Sequence, residues 1–189
     1  MKKFELTSEF ITNIFGTKLF RIKALIEFGN VKAGELGGFV EKEENLSQDG
    51  NAWVYDSARV YDNARVCGDA RVYGNACVCG DACVCGNACV YDNARVCGDA
   101  RVYDNACVCG NARVYGDAGY ATVHGFGSEY RTTTFFKTKA GDIGVKCGCF
   151  YGNLSEFRKK VVETHGETKK AKEYLMLADL MEFRFSDNS

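Results

Sequence analysis

Residues 76–87 read Ala76-Cys77-Val78-Cys79-Gly80-Asp81-Ala82-Cys83-Val84-Cys85-Gly86-Asn87, two six-residue units in succession. Alanine recurs at this spacing twelve times from Ala52 to Ala118, and valine eleven times from Val54 to Val114. A period sustained over that length decides the architecture before any local propensity does. Within a unit, strand alternation puts Ala76 and Val78 on one face and Cys77 and Cys79 on the other. The small and β-branched pair must therefore face inward. The next two positions, Gly or Asp followed by Asn, Asp or Ser, are residue types that accept a tight corner and left-handed backbone angles. Each hexapeptide reads as one short strand and one corner.

The unit resembles that of the hexapeptide-repeat proteins, whose strands form the sides of a three-sided left-handed parallel β-helix. Three sides of six residues make an eighteen-residue coil, so the resemblance implies about four coils over residues 51–122. Handedness comes from the family, because the general rule for parallel crossovers favours the opposite hand. An eighteen-residue coil would stack Val54, Val72, Val90 and Val108 in one inner column. Val60, Val78, Val96 and Val114 form a second, and Val66, Val84 and Val102 a third. On the outside, Tyr55, Tyr73 and Tyr91 form an aromatic ladder that Cys109 continues. With Arg95, Arg101 and Arg113 they are the candidate protein-binding residues, since an aromatic strip is either a binding surface or simple cross-strand support.

Eleven cysteines are present, an odd number, and nine lie inside the array. No apolar run of signal-peptide length follows Met1-Lys2-Lys3, so reduced thiols and a cytoplasmic location in a bacterial host cell are expected. The array thiols group as Cys77, Cys79 and Cys97; Cys67, Cys83 and Cys85; and Cys89, Cys107 and Cys109. Residues two apart on a flat strand are separated by about 7 Å, which argues against a compact metal site on these faces. The formal net charge is −1, and the array carries six arginines, no lysine and eight aspartates, a balance that disfavours a nucleic-acid partner. No stretch approaches membrane-spanning length.

The flanks read as caps for the open ends of the array. Residues 1–50 are assigned to an N-terminal β cap, with a strand at Phe20 to Leu25 and a six-residue step from Val40 to Leu46 ahead of an irregular join at Asp49-Gly50. Residues 123–189 are assigned to a C-terminal α+β domain. It comprises a hairpin of residues 132–137 and 143–147, then two helices, one capped by Asn153 with Glu156 and ended by Gly166, the other running from about Thr168 to Met181. Both flanks resemble segments of uncharacterised bacterial, phage and prophage hexapeptide-repeat proteins. The resemblance rests on Leu19 to Leu25, Val31-Lys32-Ala33-Gly34, Gly37-Gly38, Leu46-Ser47 and Trp53 upstream, and on Thr133-Thr134-Phe135-Phe136, Cys147-Gly148-Cys149-Phe150, Thr164-His165-Gly166 and Ala171-Lys172-Glu173-Tyr174 downstream.

No catalytic set is legible. The acyltransferases of the hexapeptide class use a histidine near a subunit boundary, and the γ-class carbonic anhydrases of that fold use three histidines on zinc. This chain has two, His124 beyond the repeats and His165 in the helical segment. Cys147, Cys149 and His165 are weak metal candidates that lack an evident fourth ligand. The expectation is therefore a non-catalytic protein-interaction module of phage or prophage origin, without a cofactor. It would bind a bacterial protein, inhibition of a defence complex being one version, and would form a homo-oligomer. The alternatives are an acyltransferase-like or nucleotide-ligand-binding enzyme with an intersubunit site around His124, and a self-assembling structural β-helix.

Overall fold

The structure, a computed structural model, describes residues 2–126, 129 and 131–186. It is a β-solenoid of about four turns with an antiparallel cap at one end, and a separate antiparallel sheet with two helices at the other. Eleven two-residue strands, from Trp53–Val54 to Arg113–Val114, supply the body. Each pairs in parallel with the strand eighteen residues away: Val54 lies beside Val72, Val60 beside Val78 and Val66 beside Val84. The three valine columns read from the period are thus the three sides of the coil. Every inner residue from Ala52 to Ala112 and from Val54 to Val114 is at most 1% exposed. Removal of each valine from water contributes at most roughly 1.5–3 kcal/mol. Strand pairing fixes the three-sided coil, and its hand rests on the family resemblance.

The corners explain the alternation of Gly and Asp. The first corner residue of the repeats from Asp56 to Gly110 has φ between 53° and 70°; Asp occupies it at 56, 62, 92 and 104, and Gly at the remaining positions. Short polar side chains are among the few that accept this region. Three of the aspartates gain a compensating bond, because the backbone N–H of Gly74, Gly80 and Gly110 donates to Asp56, Asp62 and Asp92, each at 3.1 Å from the coil below. In these columns the residue eighteen positions on from each of these aspartates is a glycine, so no acid stacks directly on another.

The N-terminal cap consists of β1 (Phe4–Thr12), β2 (Lys18–Ala24) and β3 (Leu36–Val40), paired antiparallel in that order. The last of them turns parallel to the array, with Val40 beside Val60, and Leu46 bridges to Val66. These offsets of twenty residues, against eighteen from Val54 to Val72, place two extra residues in the irregular join. Phe4, Ile22, Leu46 and Trp53 close this end of the solenoid core.

At the other end the C-terminal sheet has strands Tyr120–Phe126, Arg131–Lys137, Ile143–Cys147 and Phe150–Asn153, in chain order. The hairpin read from the sequence is its centre, and the flanking strands were not foreseen. Phe136 joins the solenoid core, while the Cys107 N–H donates to Thr134 Oγ1 at 3.0 Å, so this sheet seals the last coil. On its far side Phe135 and Val145 pack with helices α1 (Leu154–His165) and α2 (Lys169–Phe185). Asn153 and Glu156 form the reciprocal cap at 2.8 and 2.9 Å. The second helix continues one turn beyond Met181 because Phe185 is buried in the same cluster. Arg158 ties the two helices together through Asp179 and Glu182. Among the described residues, no helix is long and apolar enough to cross a membrane.

Candidate functional site

The outward residues of the array sort by face. Tyr73 and Tyr91 stack with centroids 4.8 Å apart and planes 1° from parallel, and Tyr55 and Tyr91 pack against the core. Burial pushes the Tyr73 hydroxyl up to about 12. Cys109, expected to continue the ladder outside, is instead buried beneath the C-terminal unit. Arg95 and Arg101 are exposed, whereas Arg113 is half-buried and donates to the Asn93 carbonyl at 3.2 Å. The candidate binding residues therefore lie on different sides of the coil: Tyr55, Tyr73 and Tyr91 on one, Arg95 and Arg113 on the second, Arg101 on the third. They do not converge on a single cleft.

The thiols behave differently on each face. Cys77 and Cys79 sit against Tyr61 in a small cluster with Leu19 and Phe39, and the Cys79 and Cys97 sulfurs are 2.7 Å apart. Hydrogen bonds from the Cys79 and Cys97 thiols lower the Cys77 thiol, and burial raises Tyr61. On the next face Cys67 and Cys85 are joined in a disulfide across neighbouring coils, Cα atoms 4.8 Å apart, which corrects the expectation that every thiol is reduced. The cause is the stacking itself, since strand spacing falls inside the Cα window a disulfide requires. The expected 7 Å separation also fails at the sulfurs, because Cys83 and Cys85 lean together to 3.2 Å.

The three residues read as weak metal candidates meet in one place. Cys147, Cys149 and His165 line a cleft of about 280 Å³ between the C-terminal sheet and the helices, together with Arg131, Lys160 and Tyr174. The tight Cys147-Gly148-Cys149 turn between strands delivers the thiols, Gly148 having φ +55°. The last turn of α1 delivers His165, whose ring lies 5.9 Å from that of Tyr174. Thr133 Oγ1 donates to the Cys147 sulfur at 3.1 Å, and the Tyr174 hydroxyl donates to the Phe126 carbonyl at 3.2 Å. Burial raises Tyr174 to about 12, so at neutral pH it is a proton donor and not a phenolate. Phe157 and Val161 give the cleft an apolar wall, and the rim carries the cations of Arg131 and Lys160. These three candidates do not form a His, Cys, Asp or Glu group of coordination size; among the described residues that distinction belongs to Cys67, Cys83 and Cys85.

A larger cavity of about 630 Å³ lies between the last coil and the C-terminal sheet, lined by Asn111, Lys139, Asp142, Tyr151 and Glu156 among others. Size favours it, but its Glu156 is committed to the helix cap and its lining has no thiol or imidazole. The smaller cleft is the better chemical candidate. His124, the expected intersubunit residue, is exposed on the strand Tyr120–Phe126, its Nδ1 3.3 Å from Thr132 Oγ1. Arg131, Lys160 and Tyr174 were missed in the sequence because only the sheet-to-helix packing brings them to His165.

A family model described as the YdcK β-solenoid repeat matches residues 64–80 and 94–110. A curated relative from Escherichia coli (strain K12), named as the uncharacterized acetyltransferase YdcK, is 40% identical over 63 residues, or 30% of this chain and 19% of the relative. The chain spans about a fifth of that relative's length in the match. The relative's name overturns the expectation of a non-enzyme and points toward enzymatic activity. Neither match supports phage origin or a defence-directed role. Both matched segments lie inside the array, whose strand register and repeat period are those of a β-solenoid and are consistent with the hexapeptide-repeat β-helix family.

Proposed function

We propose that the chain carries out acyl transfer from a thioester donor at the C-terminal cleft, with His165 as general base. The observation that carries this reading is the cleft's composition: an imidazole beside a protonated phenol, an apolar wall and two cations at the rim. The relative's name supplies the reaction class. In the reaction, His165 takes a proton from an acceptor amine or hydroxyl, the acceptor attacks the thioester carbonyl, and the carbon–sulfur bond breaks. The donor thiol leaves with the proton returned by the imidazolium. Arg131 and Lys160 would meet the anionic part of the donor; their present partners, Glu129 at 3.7 Å and Glu163 at 3.8 Å, are exposed and readily exchanged.

Acetyl-coenzyme A titrated calorimetrically into the protein is expected to bind saturably, and the double substitution Arg131→Glu with Lys160→Glu is expected to weaken it at least about tenfold. His165→Ala should keep that binding while chromatographic assay shows loss of coenzyme A release to a panel of amines. Wild-type protein that binds no acetyl-coenzyme A contradicts the reading.

A second role, binding a bacterial protein or another copy of the chain in the cytoplasm, is favoured by one feature. On α2, Met176, Leu180 and Phe183 are 71%, 54% and 71% exposed at helical spacing, beside the edge strand Tyr120–Phe126. A stripe of this kind is typical of an interface. Leu180→Ser with Phe183→Ser should convert an oligomer to monomer in light scattering; a monomeric wild type would leave only the hetero-partner form, and an unchanged oligomer would exclude this stripe as the contact.

A further inference from the structure

We propose that Cys67, Cys83 and Cys85, when reduced, bind one soft, thiophilic divalent cation. Their sulfurs all lie within 4.8 Å of one another, with Cys83 and Cys85 at 3.2 Å. Sulfur–metal distances of about 2.3 Å in a tetrahedral site require sulfurs roughly 3.8 Å apart, so the spacings present bracket the one needed. Small side-chain rotations suffice, because the backbone beneath is already held. The N–H groups of Cys67, Cys83 and Cys85 donate to Val84, Ala100 and Val102 at 3.0, 2.9 and 3.0 Å. Preorganised ligands on paired strands lose little freedom on binding.

The surroundings single out this face. A cavity of about 540 Å³ opens onto Cys67 and Cys83, and Glu43, Glu44 and Arg65 also line it. It admits a hydrated ion, leaves a fourth position for water or a glutamate oxygen, and places a guanidinium where three thiolates leave a net negative charge. Each of the other two trios has one sulfur withdrawn from solvent, Cys77 in a cluster with Leu19 and Phe39 and Cys109 at 1% exposure, whereas Cys67, Cys83 and Cys85 are all partly exposed.

In the structure Cys67 and Cys85 form a disulfide, so the metal-binding form is reached by two-electron reduction. A dithiol reductant becomes the disulfide and leaves two protein thiols; the cation then displaces one proton from each of the three sulfurs. The oxidised state has no such site, which makes occupancy depend on redox conditions.

The test uses the intact chain, reduced anaerobically with a phosphine and titrated with Cd(II) against a competing chelator. Expected are a thiolate-to-metal charge-transfer band, protection of three thiols from alkylation, and a matching rise in melting temperature. Cys83→Ser, with folding checked by circular dichroism, should lower affinity at least about tenfold. Cys79→Ser should leave the band intact, and diamide-oxidised protein should lose it. Absence of the band in reduced wild type, an unchanged Cys83→Ser, or equal loss in Cys79→Ser would each overturn the proposal.

Discussion

Val84→Asp is expected to abolish the folded array, whereas Cys83→Ser, one residue earlier on the same strand, changes stability by about 0.5 kcal/mol. Val84 is 0% exposed and stands in the middle of its column, between Val66 and Val102. The substitution forfeits roughly 1.5–3 kcal/mol of burial and places a carboxylate among Ala and Val side chains with no partner. That burial costs several kcal/mol more, and together they approach the whole stability of a typical domain. Cys83 points outward and its hydroxyl replacement stays in reach of solvent. Chemical denaturation followed by far-ultraviolet circular dichroism distinguishes the two, and a cooperative transition retained by Val84→Asp near the wild-type midpoint would mean the column is not the core.

Gly68→Val is expected to cost about 3 kcal/mol or more, with Gly68→Asn recovering over half of the loss. Gly68 has φ +66°, and a side chain there would bring its Cβ to 3.0 Å from the Gly86 backbone nitrogen in the next coil. Valine suffers both from the left-handed conformation and from its branch at Cβ. Asparagine tolerates that conformation, and its Oδ1 can accept from the Gly86 N–H as Asp56 accepts from Gly74. Shifts in the urea midpoint at constant slope measure both effects. Equal destabilisation by the two residues would show that crowding between coils, and not backbone conformation, sets the requirement for glycine.

The inner columns were legible from the sequence because burial leaves them one chemical choice, repeated every six residues. The Gly or Asp corners were legible for the same reason, since left-handed angles admit few residue types. The outer faces are less constrained. Their contacts depend on which residues lie eighteen apart and on how the caps fold over them, which is why Cys109 was expected outside and is buried. Backbone spacing sets Cys83 and Cys85 about 7 Å apart, but side-chain lean decides the distance between their sulfurs. His165 and the two cysteines of the C-terminal turn were recognised as a possible group, but their cleft depends on α2 bringing Tyr174 across from a separate segment. No local pattern carries that information. The helix caps, by contrast, are local devices, and the Asn153–Glu156 pair was readable directly.

The native cysteines test the eighteen-residue coil most directly. Fully reduced protein, oxidised briefly and quenched by acid alkylation, can be digested and its disulfides assigned by mass spectrometry. Links at a separation of eighteen are predicted, Cys67–Cys85 as in the structure and Cys79–Cys97 from sulfurs already 2.7 Å apart, with Cys89–Cys107 from paired strand positions. Predominant links between faces, at separations of six or twelve such as Cys67 to Cys79 or Cys77 to Cys89, would contradict the three-sided coil.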